Sequence, residues 1–151
     1  MKRKDREIER AEAEAILEKG LYGVLSLNGA AGPYGVPICH ALLNGLVYFH
    51  CAVKGRKVDL LRADDKVSFC VLAEAEPLPA AFSMKYRSAI VSGKAAEVTG
   101  RAEKLEALNA LVLKYSGPGY AAEGRTKAEA ALDMTAVYRI NLEEISGKAR
   151  R

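Results

Sequence analysis

The residues best suited to chemistry lie together near the middle of the chain. An aromatic segment, Tyr48-Phe49-His50-Cys51, leads into a basic segment, Lys54-Gly55-Arg56-Lys57, and an apolar run with helical potential follows. A strand that ends in a cationic loop before a helix places backbone N–H groups and Arg or Lys donors where they can bind an anion such as phosphate. The alternative is a basic turn that is only solvated, because three cations in four residues are common on protein surfaces.

A second polar group, Lys85-Tyr86-Arg87-Ser88, stands at the start of a long β-prone stretch. It combines two cations, a ring that can stack and a hydroxyl, so it could reach the same phosphate or the ring of a bound cofactor. The alternative is an exposed strand end in which polar residues alternate.

The histidines and cysteines do not predict a metal site. His40 and His50 stand ten residues apart with no acidic residue beside either, which is poor spacing for zinc or iron. Cys39 and His40 are adjacent in a strand-like run and should point to opposite faces, so they cannot hold one ion. We expect no metal and a structural His40. A Cys–His nucleophilic pair is also disfavoured, because no third orienting group is identifiable.

One glycine-rich stretch imitates a nucleotide-binding motif. Residues 117–122, Gly-Pro-Gly-Tyr-Ala-Ala, match the dinucleotide fingerprint formally, but that motif needs a preceding strand. Residues 105–115 have helical periodicity instead. The stretch is therefore predicted to be a turn between two helices.

Length and composition indicate one globular domain, residues 1–151. Half of the 151 residues are hydrophobic and 28% are charged, and no apolar run approaches the roughly 20 residues that span a bilayer. The charged N-terminus does not resemble a signal peptide. An odd set of three cysteines, Cys39, Cys51 and Cys70, indicates reduced thiols. We expect a cytoplasmic protein with no membrane partner.

The net charge of +4 comes from the two ends of the chain. Six of the 23 basic residues fall within positions 1–4 and 148–151, which leaves 17 basic residues against 19 acidic ones. The folded body is therefore slightly acidic, and no nucleic-acid partner is expected.

The pattern of elements predicts a mainly β fold with peripheral helices. Six strands are expected, and Asn44-Gly45 between two apolar runs is a strong signal for a type I′ hairpin. Six short strands with hairpin signals favour a small antiparallel barrel. The expected strands are 22–27, 36–43, 46–52, 66–73, 82–98 and 134–143, with an opening helix at 6–19, a short helix within 53–62 and a helical insertion at 101–115 and 121–132.

Several segments, taken in order over about residues 5–145, resemble one known family. They are Tyr22-Gly23-Val24-Leu25-Ser26, Pro33-Tyr34-Gly35-Val36-Pro37, Tyr48-Phe49-His50-Cys51, 55–61 (Gly-Arg-Lys-Val-Asp-Leu-Leu), Val67-Ser68-Phe69 and 86–91 (Tyr-Arg-Ser-Ala-Ile-Val). The series resembles the pyridoxamine 5′-phosphate oxidase-like flavin-binding split barrels, and within them the nitroimidazole-resistance, or nitroimidazole reductase-like, branch.

The resemblance implies a six-stranded antiparallel split barrel that forms a homodimer with FMN in a groove between subunits. It implies contacts to the isoalloxazine from Val36, Pro37 and Ile38, and His50 and Cys51 at the other edge of the ring. It further implies phosphate binding by Gly55, Arg56 and Lys57, added contacts from Tyr86, Arg87 and Ser88 that come across the dimer, and a catalytic His50.

The activity that the resemblance implies is reduction of a small electrophile, such as a nitroaromatic, with electrons from NAD(P)H by way of FMN. The alternative is a non-catalytic protein that stores, senses or sequesters a flavin or haem, because relatives bind haem or a deazaflavin in the same groove. Ser92 and Cys39-His40 depart from the usual pattern, and they leave the substrate open.

Overall fold

One curled antiparallel sheet organises the protein, and the computed structural model describes residues 4–151. Its strand order is β2-β1-β5-β6-β7-β4-β3. The mainly β split-barrel class is thereby confirmed, with seven strands where six were predicted. The strands are β1 (Gly23–Leu27), β2 (Tyr34–Ile38), β3 (Ala41–Leu43), β4 (Leu46–Ala52), β5 (Lys66–Leu78), β6 (Ser83–Glu97) and β7 (Thr135–Arg150).

The seventh strand arises because the strand predicted at 36–43 divides at Cys39-His40. Its first part, β2, pairs with β1, and its second part, β3, pairs with β4 at the opposite edge of the sheet. A continuous apolar run gave no sign of this division. The turn from β3 to β4 is as predicted, since Asn44 and Gly45 both have positive φ, 51° and 74°.

Two strands are longer than their predicted bounds. Strand β5 continues to Leu78. Pro77 does not end the strand, because it lies opposite Met84 and the pairing with β6 continues to Leu78. Strand β7 continues to Arg150, pairing with β4 through its first half and with β6 along most of its length. It is therefore the strand that joins the two parts of the sheet.

Four α-helices surround the sheet: α1 (Arg10–Lys19), α2 (Arg56–Ala63), α3 (Arg101–Ser116) and α4 (Ala121–Ala130). The opening helix begins four residues later than predicted, after a short 3₁₀ turn at Lys4–Arg6. Gly117 and a 3₁₀ turn at Pro118–Tyr120 join α3 to α4, which confirms the predicted turn between helices. None of the helices within residues 4–151 is long and apolar enough to cross a membrane.

Helices cover the sheet on two sides and create two apolar clusters. The inner cluster joins Ile16 and Leu17 of α1 to the concave side of the sheet, including Phe49 and Phe69. The outer cluster joins α3 and α4 to the other side of β3, β4 and β7. Each strand position therefore belongs to the barrel interior or to the outer side.

His40 links the division between β2 and β3 to α1. Its ring is fully buried, and Nε2 lies 2.7 Å from the carbonyl oxygen of Leu17, so Nε2–H donates to that carbonyl. Nδ1 has no hydrogen-bond partner among residues 4–151, and a proton there would be buried unpaired. Burial, with the Lys114 ammonium nearby, lowers the His40 pKa from 6.5 to about 4. The structural role predicted for His40 agrees with this placement.

We predict that His40 makes the fold sensitive to mild acid. The unfolded chain takes up a proton near pH 6.5 and the folded chain only near pH 4, so stability falls as the pH drops between these values. Between about pH 7.5 and about pH 5, chemical denaturation should show a loss of about 2 kcal/mol attributable to this residue. His40→Gln keeps a donor for Leu17 and should flatten this part of the dependence. An unchanged slope in the variant would contradict the assignment.

Candidate functional site

His50 lies on the outer side of the sheet, at a cavity beneath the helical pair α3–α4. The cavity has a volume of about 590 Å³. His50 and Thr135 contribute from the sheet and Cys39 from the break between β2 and β3, whereas Leu111, Val112, Tyr115 and Ala131 are among the residues contributed by the helical segment. Because Tyr48 of the same strand packs into the outer cluster, alternation along β4 sends His50 to that side as well.

The surroundings of His50 favour the neutral form of its imidazole. Partial desolvation lowers the pKa of this ring, which is still exposed to solvent, and the nearby Lys57 ammonium lowers the pKa further. A neutral imidazole offers one N–H donor and one nitrogen acceptor. His50 can therefore donate a hydrogen bond to a ligand oxygen in the cavity without carrying a charge.

The predicted phosphate-binding segment forms the start of α2. Gly55 is the N-cap with φ 129°, a value that favours glycine, and no side-chain cap hydrogen bond is made at this helix start within residues 4–151. A Cβ atom at position 55 would meet no atom within 4 Å, so the space next to the helix start is open. The helix start therefore offers uncapped donors to an approaching anion.

Two cations stand at this helix start without a carboxylate partner. Arg56 lies over the Tyr34 ring, 4.4 Å from its centroid, and the Lys57 ammonium lies 5.9 Å from the Phe49 centroid. In the part of the chain that the structure describes, neither forms an ion pair. Stacking leaves the N–H donors of Arg56 free for an anion.

The second predicted cluster has a different environment. Arg87 pairs with Glu12 of α1 at 2.8 Å, and Arg151 contacts the same carboxylate. The hydroxyl of Tyr86 lies 3.4 Å from the Arg6 guanidinium. Ser88 lies opposite Lys148 in the sheet. Within one chain, Arg87 is thus committed to a carboxylate, although its buried Nε lacks a partner among residues 4–151.

The two clusters are far apart in one chain. His50 pairs with Val137 at the start of β7, and Tyr86 pairs with Arg150 at its end. These positions are thirteen residues apart, roughly 40 Å along the strand. The second cluster therefore lies near the end of β7, whereas α2 follows strand β4, which pairs with the start of β7.

Alternation also separates the residues predicted to contact the isoalloxazine ring. Val36 and Ile38 pack into the inner cluster, and only Pro37 of the three turns outward. Val36 and Ile38 can offer a ligand only their backbone, at the edge strand β2. Cys51 packs against the inner cluster, on the side opposite to His50, and burial raises the pKa of its thiol.

The helical wall of the cavity was not among the predicted site residues. Tyr115 is held in place by its hydroxyl, which donates to the Leu21 carbonyl at 2.5 Å and accepts from the His40 N–H at 3.0 Å. Glu103 fastens the other end of α3 to the sheet by accepting from Arg139 and Tyr48. The sequence signal for this wall is Tyr115, an aromatic residue at the end of a helical pattern just before Gly117-Pro118.

No group of three or more His, Cys, Asp or Glu side chains that could hold a metal ion is found among residues 4–151. The site is instead an apolar cavity beside an uncapped helix start with two cations.

Comparison with known proteins gives the family. The model of the pyridoxamine 5′-phosphate oxidase family matches residues 9–149. The chain belongs to this family. No curated protein matches the chain. Family membership agrees with the resemblance that the sequence segments predicted.

Solved structures with this pyridoxamine 5′-phosphate oxidase fold include several similar chains. A protein provisionally assigned to 5-nitroimidazole antibiotic resistance, from Bacteroides thetaiotaomicron, is 20% identical, with a TM-score of 0.78 and coverage of 94% of this chain and 85% of that one. A conserved hypothetical protein from Mycobacterium tuberculosis is 21% identical, with a TM-score of 0.85 and coverage of 99% and 89%. An FAD- and haem-binding protein from Mycobacterium smegmatis is 19% identical, with a TM-score of 0.81 and coverage of 95% and 72%. These identities show a shared fold.

Proposed function

We propose that this chain is an FMN-dependent oxidoreductase that reduces small electrophiles, such as nitroaromatics, with electrons from NAD(P)H. The observation that carries the proposal is the pair of unpaired cations, Arg56 and Lys57, at the uncapped start of α2, next in sequence to the strand that presents His50 to an apolar cavity. Membership of the family and the flavin-binding structures among its relatives support it. The free thiols suit a cytoplasmic setting.

The residues at the start of α2 fit the phosphate of FMN. A phosphate monoester carries nearly two negative charges at pH 7, which matches two cations. The missing Cβ of Gly55 leaves room for a phosphate to approach the first-turn N–H groups. Arg56 can offer two parallel donors, and Lys57 adds a point charge.

The chain's own residues would divide the work between binding and chemistry. When bound, FMN supplies the hydride transfer. Arg56 and Lys57 hold its phosphate, and the backbone of β2 with Pro37 contacts the ring. Neutral His50 donates a hydrogen bond to an oxygen of the electrophile, and the apolar residues of the cavity exclude water from it.

We further propose that the protein is a homodimer that uses the outer side of β1, β5 and β6. Val24, Cys70 and Ile90 lie opposite one another across these strands, and the side chains of Val24 and Ile90 are 39% and 45% exposed. The helices of the outer cluster pack on other strands. The second cluster lies at the opposite end of β7 from His50, so we propose that Arg87 reaches the phosphate site of a second copy and releases Glu12 to do so.

We predict that Arg56 contributes to flavin affinity through its phosphate contact. Protein purified and loaded with FMN should keep a two-band flavin spectrum after gel filtration. A charge-assisted hydrogen bond contributes about 1.5–3 kcal/mol, so Arg56→Ala should weaken FMN binding by about 10- to 100-fold in a fluorescence titration. Arg62→Ala, in the last turn of the same helix, is the matched control and should bind FMN as the unchanged protein does. Equal affinity of both variants would oppose the assignment.

We predict that the loaded protein oxidises NAD(P)H when a nitroaromatic is supplied. His50→Phe, which keeps a ring but removes the donor, should lower kcat by about 100-fold, because the hydrogen bond from His50 is made to an oxygen that gains charge during reduction. FMN affinity should change little in this variant. Retained flavin with no oxidation of NAD(P)H by any nitro compound would favour the alternative, a protein that stores or senses a flavin or haem.

We predict that Ile90→Lys separates the dimer, because it places a charge in the apolar row of Val24, Cys70 and Ile90 at the proposed interface. Light scattering should report the mass of one chain for this variant and of two chains for the unchanged protein. Leu113→Lys is the matched control, since Leu113 has similar exposure, 49%, but lies on α3. A monomeric unchanged protein would refute the proposed interface.

A further inference from the structure

The cavity beneath α3 and α4 has a composition that selects among ligands. Its volume of about 590 Å³ lies in the range of small-molecule sites. Most of the accessible lining is apolar, with Leu111, Val112 and Ala128 among the contributing residues. It is therefore large enough for a compound of one or two rings.

Among residues 4–151, the cavity is lined by no charged side chain that lacks an ion-pair partner. Glu123 and Lys127 are its only charged side chains, and they form an ion pair of 2.7 Å one helical turn apart on α4. Arg56 and Lys57 are not part of the lining. The pair is exposed to solvent, with side-chain exposures of 75% for Lys127 and 60% for Glu123, so an ionic ligand among the apolar lining residues would lose its hydration without gaining a buried ion-pair partner.

Aromatic side chains stand at the helical side of the cavity. Tyr115 is fixed by hydrogen bonds to the backbone of Leu21 and His40, so its ring is a preformed wall. Tyr120, in the turn between α3 and α4, is 60% exposed and contributes a second ring. Aromatic walls favour planar ligands, which can stack or pack edge-to-face against them.

We propose that the helical pair α3–α4 makes this cavity a binding site for uncharged ring compounds that carry a hydrogen-bond acceptor for His50, and that it rejects anionic analogues. As the substrate site of the reductase, this assignment rests on the proposed function. The binding step itself needs only the cavity, so it can be measured in the full chain without flavin.

The test compares two probes with the same ring system and different charge. In the full-length protein without added flavin, fluorescence titration should show saturable binding of 2-naphthol, which is neutral at pH 7. Binding of 2-naphthoate should be at least about tenfold weaker, because its carboxylate has no free partner in the cavity. Equal or tighter binding of 2-naphthoate would overturn the proposed charge selection.

A matched pair of variants locates the binding site. Ala131 lines the cavity, whereas Ala130, its neighbour, does not, and both are exposed. Ala131→Phe should weaken 2-naphthol binding by about tenfold by filling space in the cavity, and Ala130→Phe should leave it within about twofold. Equal effects of the two substitutions would overturn the location.

FMN binding, measured in parallel, separates this inference from the proposed function. If 2-naphthol binds and Ala131→Phe blocks it while the unchanged protein retains no flavin, the ring site stands and the flavin proposal fails. If flavin is retained in both variants but 2-naphthol does not bind, the ring site is overturned and the flavin proposal stands.

Discussion

Side-chain alternation along the curled sheet places strand residues either in the barrel interior or on its outer side. This placement determines which side chains reach the candidate site. It sends His50 to the helix-covered cavity and its neighbour Cys51 to the inner cluster. It buries Ile38 and leaves Pro37 outside. A shift of one residue in the pairing of β4 with β7 would exchange the positions of His50 and Cys51. The register of that pairing is therefore as important to function as the identity of the residues.

Charges are distributed according to the same geometry. Arg56 and Lys57, at the start of α2, lie near aromatic rings and keep their hydrogen-bond donors. Arg87, in contrast, donates to the carboxylate of Glu12. The exposed Glu123–Lys127 pair of α4 adds little to stability, but it neutralises the lining of the cavity. The proposed anion site at the start of α2 and the proposed site for uncharged groups are thus separate, and strand β4 connects them.

Much of the fold was predictable from local patterns, because strands, helices and the Asn44-Gly45 turn follow from residues close in sequence. The division of the second predicted strand was not predictable, since it depends on a hydrogen bond from the His40 ring to the Leu17 carbonyl in α1. The same limit applies to the site. The start of α2 was visible as a local motif, but the cavity is formed by helices that follow His50 by more than fifty residues, and only tertiary packing brings them together.

Strand β7 has a consequence for how the protein is made. It follows the other six strands in the chain, yet it inserts between β4 and β6, both of which carry open edges until it arrives. During synthesis on the ribosome the earlier strands cannot complete the sheet, and their unpaired edges are exposed to association with other chains. The topology therefore makes assembly of the cavity a late folding event, dependent on contacts distant in sequence.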